Sequence, residues 1–196
     1  MSNHAIPLED LLADVRACTF CSDLPLGPRP VLQAACSARL LIVGQAPGTR
    51  VHASGIPWHD ASGNTLRSWL DVGEDLFYDP SRIAIIPMGL CYPGRGKSGD
   101  LPPRPECAPR WHPLLRSALP NVALTLLIGS YAQARYLGPH PGGVSGRVRG
   151  YRSYLSEGWL PLPHPSPRNR HWLSQRPWFQ EEVIPALRRQ VHRLLF

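Results

Sequence analysis

Residues 39–58, RLLIVGQAPGTRVHASGIPW, constrain the fold of this chain more than any other stretch. Arg39–Val43 is a short apolar run with β-branched residues, long enough for a buried strand and too short for a helix. It stops at Gly44-Gln45-Ala46-Pro47-Gly48. The two glycines there permit close backbone approach, and Pro47 fixes φ between them. A tight turn at the carboxyl end of a buried strand is where open α/β sheets hold their ligands. A few residues on, Gly55-Ile56-Pro57-Trp58 offers a flat aromatic on a stiff loop. Backbone N–H groups beside an aromatic suit a small planar polar ligand such as a nucleobase. Taken alone, the same residues also fit an ordinary strand-to-helix turn with a core Trp.

Three further apolar runs, Ile83–Met88, Val122–Ile128 and Gly158–Leu162, predict strands. Helical spacing predicts helices over Leu8–Val15, Asn64–Val72, Pro105–Leu119 and Trp178–Leu195, and another from Gly129 to Leu137 with Ser130 as its N-cap. Strands alternating with helices predict an α/β fold: a three-layer α/β/α sandwich around a central, mainly parallel four-stranded sheet. At 196 residues the expectation is a single domain over 1–196, with an N-terminal arm over 1–38. Hydrophobic content of 43% with 18% charged residues fits a globular protein rather than a disordered one. No apolar stretch approaches ~18 residues, so no membrane span is expected. The start, MSNHAIPLEDLLADVRAC, has acidic residues and no apolar signal core, which predicts a cytoplasmic location. A monomer is the default.

The formal charge is +7, which favours polyanionic partners. The arginines fall in three groups: Arg147, Arg149 and Arg152; Arg168, Arg170 and Arg176; and Arg188, Arg189 and Arg193. The last reads as the solvated face of a C-terminal helix. With 23 prolines and 17 glycines, the elements should be short and joined by stiff loops, where function commonly sits.

Five cysteines are present: Cys18, Cys21, Cys36, Cys91 and Cys107. In a cytosolic chain, metal or redox chemistry is a better expectation than structural disulfides. Cys18-x-x-Cys21 brings two thiolates to one centre. Cys91 follows the second predicted strand and Cys107 starts the next helix. Four thiolates could thus clip the N-terminal arm to the Pro-rich loop 92–106. Zinc and an iron–sulfur cluster fit this donor set equally, and free thiols are the plain alternative. Cys36 reads as a small buried hydrophobe.

In order along the chain, these blocks resemble the uracil-DNA glycosylase superfamily, most closely its iron–sulfur branch, family 4. Cys18-Thr19-Phe20-Cys21 is similar to that branch's N-terminal Cys-x-x-Cys, and Gly44-Gln45-Ala46-Pro47-Gly48 to its first motif, usually Gly-Glu-Ala-Pro-Gly. Gly55-Ile56-Pro57-Trp58, with Gly63 following, resembles its Gly-x-Pro-Phe segment, Trp58 standing at the Phe. His164-Pro165-Ser166-Pro167-Arg168-Asn169 resembles the second motif, and Leu126-Leu127-Ile128-Gly129-Ser130 the third core strand and its turn. Cys91 and Cys107 fall where the remaining cluster ligands belong, so the resemblance implies a 4Fe-4S cluster on Cys18, Cys21, Cys91 and Cys107, with structural zinc as the alternative.

The resemblance implies a DNA repair glycosylase. It would flip a deaminated base, uracil above all, out of DNA and hydrolyse its N-glycosidic bond without a covalent lysine intermediate, leaving an abasic site. His164 would donate to uracil O2 as negative charge builds there. Trp58 would stack on the base, and Gly44, Ala46, Pro47 and Gly48 would contact it and position water. Ser166 and Pro167 would press on the DNA backbone, with Arg168, Asn169 and Arg170 in or near the gap left by the base. The sequence departs from the pattern in two places. The acidic residue of the first motif is Gln45 beside Ala46, so Gln45 can orient water but cannot act as a base; Asp60, and behind it His59, are the substitutes. No Asn ends the second strand, Ile85-Ile86-Pro87-Met88-Gly89-Leu90, so backbone groups or Asn64 would read the base, and hypoxanthine or xanthine join uracil as substrates. These departures motivate an alternative, an iron–sulfur nucleic-acid-binding protein that recognises damaged or abasic DNA without turnover. A hydrolase of free nucleosides is a third reading, against which the basic loop argues.

Overall fold

A computed structural model describes residues 6–97 and 99–196. Met1–Ala5, the start of the arm on which the cytoplasmic expectation partly rests, and Ser98 lie outside the described residues. The strands are β1 (Leu40–Val43), β2 (Ile83–Ile85), a small antiparallel pair β3 (Arg95–Gly96) and β4 (Gly99–Asp100), β5 (Leu124–Ile128) and β6 (Trp159–Leu162). Among the described residues, β2-β1-β5-β6 form one parallel four-stranded sheet, with Ile42 opposite both Ile85 and Leu126, and Leu126 opposite Leu160. The four expected strands are these four, each slightly shorter. The second ends early because Pro87 has no N–H to give. The chain nonetheless keeps running beside β1: the N–H groups of Ile86, Met88 and Gly89 donate to the carbonyls of Ile42, Gly44 and Gln45 at 3.0, 2.9 and 2.9 Å.

Both faces of this sheet are apolar, as a parallel sheet covered on each side requires. Side chains alternate by strand geometry. Leu40, Ile42, Ile83, Ile85, Leu126 and Leu160 enter one core, and Leu41, Val43, Ala84 and Leu127 enter the other. The helices are α1 (Leu8–Arg16), α2 (Thr49–Ser54), α3 (Ala61–Leu70), α4 (Glu74–Phe77), α5 (Cys107–Ser117), α6 (Gly129–Leu137), α7 (Gly143–Arg149), α8 (Tyr151–Leu155), α9 (Arg170–Ser174) and α10 (Ile184–Leu195). α3, α4, α7, α8 and α10 cover the first face, and α1, α5 and α6 the second. The three-layer α/β/α arrangement is therefore the observed one.

Several local expectations are revised. Ser130 lies inside α6, which has no side-chain cap. α3 starts at Ala61 rather than Asn64, because Asp60 caps it by accepting the Gly63 N–H at 2.9 Å. The C-terminal helix opens with a π-helical turn, Phe179–Val183. Pro185 has no N–H to close the ordinary bond onto the carbonyl one turn back, and the turn before it is wide.

Candidate active site

The carboxyl ends of β1, β2 and β6 open onto one cleft of about 410 Å³. β1 and β2 deliver the turn Gly44–Gly48 and Pro87, and β6 ends two residues before His164. Gly44, Gln45, Ala46, Pro47 and Gly48 all line it, as do Trp58, Asp60, His164, Ser166, Arg168 and Asn169. Pro167 opens a 3-10 turn and Arg170 opens α9; both are exposed on the surface next to the cleft. Asn64 is not brought there. It is exposed on α3, and its carbonyl oxygen accepts from Arg67 at 2.6 Å, so the expectation that Asn64 reads the base is corrected.

Trp58 forms one wall. Its φ is +58°, a conformation that a bulky residue rarely adopts and that the surrounding structure must impose. Two glycines leave room for it. A methyl group on Gly44 would stand 2.7 Å from the edge of the indole, so the ring's edge abuts the backbone that follows β1. A methyl group on Gly63 would fall on the Trp58 carbonyl oxygen. The indole also meets the His164 ring, with centroids 5.5 Å apart and planes at 37°.

His164 is held by its own loop. The Ser166 N–H donates to Nδ1 at 3.2 Å, and Asn169 Nδ2 donates to the His164 carbonyl at 2.7 Å. A ring nitrogen that accepts a backbone N–H leaves the proton on the other, so Nε2 carries it in the neutral ring. Burial pushes the His164 pKa below the usual histidine value, against an opposing pull from the carboxylates of Asp60 and Asp100. His164 is thus a neutral donor in a cleft that also holds two acidic side chains. Asp100, on β4, was not singled out in the sequence, nor was its neighbour Gly99, which lines the same cleft. Nothing local in the sequence ties the turn around Gly99 to residues 44–48. Gln45 reaches the same segment, its Nε2 donating to the Leu101 carbonyl at 3.3 Å.

Cys18, Cys21, Cys91 and Cys107 line one small cavity between the N-terminal arm, the Gly89–Cys91 segment and the start of α5. The Leu90 N–H donates to Cys107 Sγ at 3.3 Å. Burial pushes the Cys91 and Cys107 thiols up to about 11, and the neighbouring cysteines add to the rise. Among the described residues, no three His, Cys, Asp or Glu side chains form a group that could hold a single metal ion. Four thiols line this cavity, and that of Cys107 accepts a backbone N–H. Cys36 is exposed, which corrects the expectation that it is buried.

The arginine groups divide by what they touch. Arg147 is buried and bonds the Gly138 carbonyl, while Arg149 and Arg152 both pair with Glu182, at 2.8 and 3.0 Å. Arg188 is not simply solvated: it donates to the Ser68 and Trp69 carbonyls at 2.9 and 3.3 Å and ties α10 to α3. At the mouth of the cleft, the Arg168 guanidinium packs on the backbone of Gly99.

Among the described residues, no helix is long and apolar enough to cross a membrane. The model of the uracil DNA glycosylase superfamily matches residues 32–188 of the chain. That span includes Cys91, Cys107 and all of the cleft lining but Val31, and begins after Cys18 and Cys21.

Proposed function

The chain belongs to the uracil DNA glycosylase superfamily, and from that premise we propose that it hydrolyses the N-glycosidic bond of a deaminated base in DNA, uracil first among them. Membership implies glycosylase action on damaged bases in DNA. The observation that carries the finer reading is His164, neutral and locked by Ser166 with its proton on Nε2.

A base inside a duplex cannot be reached, so it is flipped into the cleft, where Trp58 stacks on it. Breaking the C1′–N bond sends its electron pair onto the base and leaves positive charge on the sugar. The His164 Nε2–H donates to a base carbonyl oxygen as that charge develops, in a site with little water. Water adds to C1′ and gives up a proton. Gln45 orients water or the base edge. Ser166, Pro167, Arg168, Asn169 and Arg170 meet the DNA backbone around the flipped nucleotide.

With no Asn at the end of β2, discrimination falls to backbone groups of the cleft, and hypoxanthine and xanthine stand beside uracil as substrates. Cys18, Cys21, Cys91 and Cys107 would hold a 4Fe-4S cluster, which would clamp the arm to the loop and take no part in the hydrolysis; against the alternative, zinc, stands the absence among the described residues of any three such side chains placed for a single ion. His164→Ala is expected to slow single-turnover base release by about 10²–10³-fold while binding of abasic-site duplex persists. Full activity in that variant would refute the role of His164.

A further inference from the structure

We propose that Asp100, at the end of the β3–β4 hairpin, is the carboxylate that takes a proton from the attacking water, the part that Gln45 and Ala46 cannot play. The inference rests on the glycosylase reading above. Among the described residues, the acidic side chains lining the cleft are Asp60 and Asp100. Asp60 is committed at the start of α3: its Oδ1 accepts the Gly63 N–H at 2.9 Å.

Asp100 is placed differently. Its Oδ2 lies 3.4 Å from where a methyl group on Gly48 would stand, so the carboxylate sits across the backbone of the β1 turn. The hairpin is fixed on both sides. Arg95 pairs with Asp100 in the β3–β4 register, and the Leu101 N–H donates to the Gly94 carbonyl at 2.8 Å. The Leu101 carbonyl in turn receives Gln45 Nε2. Gln45 therefore anchors the strand that carries the carboxylate. Opposite, the Arg168 guanidinium against Gly99 joins the hairpin to the His164 loop.

In the step itself, the C1′–N electron pair leaves with the base, and the oxygen of water forms the new bond to C1′. One water proton passes to the Asp100 carboxylate and on to solvent, and the base anion takes a proton from solvent after release. The test is single-turnover base release across pH by wild type, Asp100→Asn and Asp60→Asn, with melting and abasic-duplex binding measured alongside. Asp100→Asn is expected to be slower by about 10²-fold or more, to lose the fall in rate on the acid side, and to melt and bind as wild type does. Asp60→Asn should lose less. A rate in Asp100→Asn within about threefold of wild type, or a larger loss in Asp60→Asn, overturns the role of Asp100 alone. Release of no base by wild type overturns the glycosylase reading and this role together.

Discussion

Trp58 is the residue on which the site turns. A left-handed backbone at a bulky residue costs about 1–3 kcal/mol, and Gly44 and Gly63 are the positions that make it fit. Gly63→Ala is therefore expected to destabilise the fold by about 1–3 kcal/mol in urea unfolding, and to lower base release by displacing the indole. An unchanged unfolding midpoint would contradict this. Trp58 is legible as a wall because a Gly-x-Pro-aromatic loop follows a strand-ending turn, although the same residues also fit a core Trp. Its left-handed backbone is not legible, since the room for it is left by Gly44 and Gly63 through contacts that local spacing does not reveal. Asn64, offered in place of the Asn missing after the second strand, is turned elsewhere: its amide oxygen accepts from Arg67 on the next turn of α3. Asp100 escaped notice because its partners in the cleft lie some fifty residues away on either side.

Between elements, buried polar contacts join what the sheet alone does not. His112 on α5 is buried; its Nε2 donates to the Pro87 carbonyl at 3.0 Å, and its Nδ1 accepts from the Tyr136 hydroxyl of α6 at 2.5 Å. Burial lowers its pKa from 6.5 to about 4. The unfolded chain thus binds a proton that the folded chain refuses, and stability is whole above about pH 6.5 and falls as pH drops toward 4. The loss is on the order of 3 kcal/mol, and His112→Gln should flatten that part of the curve. An equally steep fall in the variant would assign it elsewhere. The four strands were legible from apolar runs bounded by glycine and proline. The hairpin, α2, α4 and the short helices α7 to α9 were not, because few residues in each are apolar and tertiary contacts decide them. The four cysteines are expected to give iron and acid-labile sulfide in equal amounts from anaerobically prepared protein. Cys107→Ser should lose both and melt earlier, and zinc in their place would contradict the cluster.

Over the whole molecule, net positive charge matters less than where it remains unpaired by acidic groups. The Arg149 and Arg152 side chains, one cluster in the sequence, meet Glu182 instead of DNA. Arg170, beside the cleft, is expected to contribute to the electrostatic grip. Arg170→Ala should lower the salt slope of duplex binding by about one, and Arg149→Ala should leave it as it is. Equal effects of the two substitutions would show a diffuse field rather than a rim of contacts. The most direct measurement is chromatographic detection of the free base released from oligonucleotides carrying uracil, hypoxanthine or xanthine, in duplex and in single strands. Free base with a matching abasic site, from uracil above the others, is expected. Tight binding with no base released from any of them would contradict the glycosylase reading.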